Sequence, residues 1–146
     1  GEGLSLWTAT PAVGEGQRET AHTFLRALGR EIYVAEEKYL DMATAVSGSG
    51  PAYVLLFIEA LIDAAVHIGL PRHLAQDMVF QTVLGTSRLA QSLNRHPAEL
   101  RALVTSPGGT TAEALLRLEE GGLRGLIIRA VQAAHEKSQS LGSKVV

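Results

Sequence analysis

The stretch Pro51–Leu70, PAYVLLFIEALIDAAVHIGL, decides the fold class. It opens on a proline, which suits the first turn of a helix, and Gly69 stands where a helix would end. Its polar residues Glu59, Asp63 and His67 recur every four positions and share one helix face, which leaves Val54, Leu55, Phe57, Ile58, Leu61 and Ile62 over most of the remaining circumference. The stretch is long enough to cross a bilayer. Two carboxylates at its middle make that costly, so a covered helix of a soluble protein is expected, with no membrane partner. A helical domain of about a hundred residues has too few neighbours to cover such a helix. A second copy of the chain is the simplest cover, so a homodimer or higher homo-oligomer is expected.

The chain has 146 residues, 46% of them hydrophobic, enough for one ordinary domain or a small domain with part of another. A formal net charge of -2 gives no basic excess, which argues against a nucleic-acid partner. The absence of cysteine excludes disulfides and thiolate metal sites and fits a reducing, cytoplasmic location. The first residues carry neither a secretory signal nor an initiator methionine, and the sequence is expected to be part of a longer protein.

Upstream of the long helix the period changes. Leu4 and Leu6 flank Ser5 in a short strand, and Ala21, Phe24, Leu25 and Leu28 fall on one helix face that Gly29 ends. Ile32 and Val34 then form a second short strand. From Lys38 the pattern is helical throughout, with helices expected near 38–46, 51–68, 71–94, 97–104, 111–120 and 123–140. The fold class is therefore mainly α, a helical domain over 38–146 preceded by a strand-helix-strand piece over 1–37.

Three places invite chemistry. Glu59, Asp63 and His67 share a face but lack a further ligand at matching spacing, so they are read as a polar seam and no metal is expected. The segment VSGSGPAY, Val46–Tyr53, lacks the GxGxxG spacing after a strand, and reads as a tight turn with Ser49 or Gly50 capping the long helix. The segment LVTSPGGTTAE, Leu103–Glu113, is more specific. Thr110 with Glu113 predicts a capping box and a helix start just after Gly109. The backbone N–H groups of Gly109, Thr110 and Thr111, with the hydroxyls of Ser106, Thr110 and Thr111, then form an anion seat without a cation, suited to a carboxylate. An ordinary glycine-rich turn between helices accounts for the spacing equally well.

The long runs LVTSPGGTTAEALLRLEEGGLRGLIIRAVQAA and DMATAVSGSGPAYV resemble the pyrroline-5-carboxylate reductases. The resemblance extends from Gly1 to about Gly142. It implies that residues 1–37 are the end of a Rossmann domain and residues 38–146 an interleaving helical dimerisation and substrate-binding domain. The implied reaction is NAD(P)H-dependent reduction of pyrroline-5-carboxylate to proline, with this chain as the substrate and dimer half. The implied substrate-binding residues are Glu37, Ser106, Gly108, Gly109, Thr110 and Thr111, with Thr111 orienting the imine nitrogen as the catalytic group. The cofactor, NADPH or NADH, would be held mostly by residues outside this chain, and no cofactor-binding residue is assigned. The other reading is a non-catalytic helical dimerisation module that keeps the fold.

Overall fold

The computed structural model describes residues 1–143, and these fold as two compact units, residues 1–51 with the chain from 129 onward, and residues 52–128. The architecture is mainly helical, with a single two-stranded sheet among the described residues.

In the first unit, strand β1 (Gly3–Trp7) leads through helix α1 (Glu15–Leu28) to strand β2 (Gly29–Tyr33), and the strands pair in parallel with Gly3 opposite Gly29 and Trp7 opposite Tyr33. Gly29 ends α1 as the sequence predicts, at φ 154°, and any Cβ there would run into the Gly3 backbone oxygen. Only glycine joins the helix so directly to a strand this close to its neighbour. The expected apolar face of α1 is met in part, by Ala21 and Leu25. Phe24 and Leu28 are 71% and 69% exposed, while Arg18, Ala21, His22 and Leu25 are half-buried. On the half-buried side, His22 Nε2 lies 3.0 Å from Glu31 Oε1, and Trp7 Nε1 donates to Glu31 Oε2 at 2.6 Å. Glu31 thus adds a polar contact beside Ala21 and Leu25 that a local hydrophobic period does not register.

Helix α2 (Lys38–Ala43) runs into a π-helical turn over Thr44–Gly48, in which Ser49 N donates to Thr44 O at 2.8 Å. The tight turn and the Ser49 or Gly50 cap expected from the sequence are thus replaced by continued helical backbone, with helix α3 (Gly50–His67) starting immediately after. Ser138 Oγ donates to Asp41 Oδ1 at 2.6 Å and ties the last helix of the chain to α2 within this unit.

In the second unit, α3 and α4 (Arg72–Leu93) share the core of Ile58, Ile62, Ala75 and Val79. Gly69, at φ 104°, closes α3 with a double bond pattern, Leu70 N to Ala65 O and Gly69 N to Val66 O. This is a Schellman cap, completed by the apolar Leu70 and Ala65 at the edge of the core. Asn94, left-handed at φ 46°, ends α4, and the His96 ring accepts from Ala98 N to start α5 (Pro97–Leu103). Helices α6 (Thr110–Glu120) and α7 (Leu123–Gly142) follow.

One helical run among the described residues, Lys38–His67, is long and apolar enough to cross a membrane by length and composition. Within α3 only Ile58 and Ile62 are buried by the chain itself, and Val54, Leu55, Leu56, Phe57 and Leu61 stay open. The Asp63 carboxylate on its polar face is engaged by Arg72 Nη2 at 2.8 Å.

Candidate functional site

The turn that leads into α6 is built by its own residues. Gly109 N donates to Ser106 O at 3.0 Å, closing a four-residue turn over Ser106, Pro107, Gly108 and Gly109. Pro107 fixes its own φ, and Gly108 at φ 68° takes the position that demands a left-handed residue, which makes this a type II turn. Gly109 is held close beneath it, because an added Cβ would lie 3.2 Å from the Ser106 carbonyl oxygen.

This geometry corrects two details of the sequence reading. The helix starts after Gly109 as expected, but Gly109 itself is the cap residue, in extended backbone at ψ 167° with no side-chain cap bond. Thr110 is consequently the first helical residue, and Glu113 pairs with Arg117 Nη2 at 2.8 Å instead of reaching back. The capping box does not form, since the type II turn has already placed Gly109 where the cap must be. The Gly109 N–H is also spent on the turn. The donors left at the helix start are those of Thr110, Thr111 and Ala112, which meet no acceptor among the described residues.

Ser106, Gly108, Gly109, Thr110 and Thr111 are therefore brought together in one turn and the first turn of one helix. The hydroxyls of Ser106, Thr110 and Thr111 bond to no protein group among the described residues, and Thr111 is half-buried. Three converging N–H groups at the positive end of a helix, with hydroxyls beside them and no cation in the turn, suit a single carboxylate. Glu37 belongs to the other unit, where it caps α2 with its backbone and its side chain makes no cap bond.

The comparisons with known proteins bear on these residues together. The family described as pyrroline-5-carboxylate reductase dimerisation matches residues 37–141, which include Glu37 and the whole turn at α6.

The chain belongs to this pyrroline-5-carboxylate reductase family.

Among curated relatives, a pyrroline-5-carboxylate reductase of Synechocystis sp. is 46% identical over 144 residues, covering 99% of this chain and 54% of the relative. One of Glycine max is 50% identical over 111 residues, covering 76% of this chain and 40% of the relative. Among solved structures, a Plasmodium falciparum pyrroline carboxylate reductase with NADP bound has a TM-score of 0.92 at 37% identity, covering 97% of this chain and 53% of that one. The chain thus spans about half the length of the curated family members it matches.

The sequence reading missed the β1–α1 side of the first unit. Arg18 and His22 look like ordinary surface residues of a helix in the local pattern, yet they contact Tyr33 and Glu31 on the next strand. A lone tryptophan ending one strand and a tyrosine ending the other were the available signal.

Proposed function

We propose that this chain is the substrate-binding and dimer half of a reductase that converts pyrroline-5-carboxylate to proline with NADPH or NADH, in the cytoplasm. The cysteine-free composition supports that location. The observation that carries the function is the preformed turn at α6, a carboxylate seat with three open N–H donors inside the segment matched by the family. A bare scaffold has no need of it. On this reading residues 1–37 are the end of the nucleotide-binding domain and residues 38–146 the helical domain, a division supported by the start of the family match at residue 37.

Thr110 and Thr111 N–H hold the substrate carboxylate, Ser106, Gly108 and Gly109 shape the seat, and Glu37 takes the substrate-binding role that the family resemblance implies. Thr111 Oγ1 orients the imine nitrogen and relays a proton to it from water, since a threonine hydroxyl is too weak an acid to act alone. Two copies of the chain cover the open face of α3 as a homodimer, which the dimerisation family supports.

The nicotinamide cofactor, when bound, supplies a hydride to the imine carbon. A glycine-rich pyrophosphate turn is absent from this sequence, so that end of the cofactor has no site here. The carboxamide end fits better. The loop between β1 and α1 offers the Thr8 and Thr10 hydroxyls, which bond to no protein group among the described residues, at the carboxyl end of the sheet. The test is turnover of pyrroline-5-carboxylate, followed by NAD(P)H consumption. The full-length protein should turn over and this chain alone should not. Activity of residues 1–146 alone, or none in the full-length protein, refutes the reading.

A further inference from the structure

We infer that Arg18 is a positioning residue for the cofactor, acting through the loop that leaves β1; this rests on the reductase reading above. The carboxyl ends of the two parallel strands are Trp7 and Tyr33, paired in register. In open parallel sheets, ligands sit beyond the carboxyl ends of the strands, so the residues after Trp7 face that side. The β1–α1 loop, residues 8–14, contains a turn closed by Val13 N donating to Thr10 O at 3.1 Å. Arg18, in the first turns of α1, grips both ends of that turn. Its Nε donates to Val13 O at 3.2 Å and its Nη2 to Thr10 O at 3.5 Å.

The same guanidinium is itself held from the sheet. Nη1 donates to Tyr33 Oη at 3.3 Å, and the carbon of the guanidinium stands 5.6 Å from the centre of the Tyr33 ring. Tyr33 meets Trp7 edge to face with ring centres 5.0 Å apart. Trp7 is fixed in turn by its 2.6 Å bond to Glu31. A chain of contacts therefore runs from strand to ring to guanidinium to loop carbonyls. Beside it is a cavity of about 190 Å³ lined by Trp7, Glu15, Arg18, Glu19, His22 and Tyr33. A planar fork with five donors can satisfy two carbonyls and a phenol at once while lying on a ring, and a lysine ammonium cannot. Arg18 is thereby the residue that sets where the Thr8 and Thr10 hydroxyls stand relative to a bound nicotinamide.

Trp7, the one tryptophan of these 146 residues, emits where reduced nicotinamide absorbs, so the part of the quenching that a Trp7→Phe control removes reports binding at this edge. The experiment titrates NADPH and NADH into the full-length protein and into its Arg18→Met and Arg18→Lys variants. In parallel it measures amide exchange over residues 8–14 and the kinetic constants. The dissociation constant is expected to rise about ten-fold in Arg18→Met and less in Arg18→Lys, in line with the loss of charge-assisted hydrogen bonds. Exchange of residues 8–14 should quicken, the KM for cofactor should rise by the same factor, and kcat should fall far less. A cofactor dissociation constant that stays put while exchange quickens overturns the inference and leaves a purely structural clamp. So does a fall in kcat with an unmoved cofactor KM. If the unaltered protein binds cofactor but does not reduce pyrroline-5-carboxylate, the reductase reading fails while the binding ratios still decide the role of Arg18. If it binds neither dinucleotide, both fail.

Discussion

Replacing Thr111 by alanine separates a substrate seat from a plain helix start. Thr111 is the second residue of α6, half-buried, with a hydroxyl that bonds to no protein group among the described residues. Removing that hydroxyl breaks nothing in the folded chain, and alanine is the better helix former, so stability should change by less than about 0.5 kcal/mol. If the hydroxyl instead orients the imine nitrogen, the loss appears in the transition state. One hydrogen bond in a partly desolvated site is worth roughly 1 to 3 kcal/mol, or about ten-fold to over a hundred-fold in rate. The loss should fall mainly on kcat. The control is Thr110→Ala. An N-cap threonine would cost about 1 kcal/mol, whereas a first helical residue whose hydroxyl is unbonded should cost little. The assay is steady-state kinetics of the full-length variants, normalised to folded protein, beside thermal unfolding. An unaltered kcat for Thr111→Ala refutes the role given to it, and a large loss of stability in either variant refutes the account of the helix start.

Two further substitutions test the framework on which the site stands. Gly29→Ala should destabilise the first unit by roughly 2 to 4 kcal/mol, because position 29 holds a positive-φ extended conformation that side chains rarely adopt and the new methyl group meets the Gly3 backbone; thermal unfolding followed by Trp7 emission measures it, and a change below about 1 kcal/mol contradicts the close strand approach. Phe57→Glu, on a side chain 49% exposed in the single chain, should convert the proposed homodimer to monomer at micromolar concentration in sedimentation with the helical content kept; a dimer undisturbed by it would place the interface elsewhere.

The helical half was legible because its punctuation is local. Gly69 and Pro97 mark helix ends and starts within one or two residues of where they fall, since a proline at a first turn or a glycine after a last one acts on its own backbone. The candidate seat was legible for the same reason: Pro107, Gly108 and Gly109 build a turn out of themselves. Two features escaped. The π turn at Thr44–Gly48 has no residue pattern of its own, and a Ser-Gly-Ser-Gly run reads as a break in any helix. The contact of His22 with Glu31, nine residues on, leaves no mark on a hydrophobic period, which selected Ala21 and Leu25 beside it and also the exposed Phe24 and Leu28. The capping box failed on a finer point, because a tight turn can take the cap position from the neighbour that looks suited to it.

The type II turn before α6 has a thermodynamic corollary. Pro107 removes one torsional freedom of the chain, Gly108 is already in the conformation that few residues accept, and the Ser106 to Gly109 bond closes the loop on itself. A visiting anion therefore meets a finished surface and has no backbone to immobilise. Its association is not burdened by the entropy of ordering a segment, which for a floppy loop of the same length would cancel much of what a few hydrogen bonds contribute.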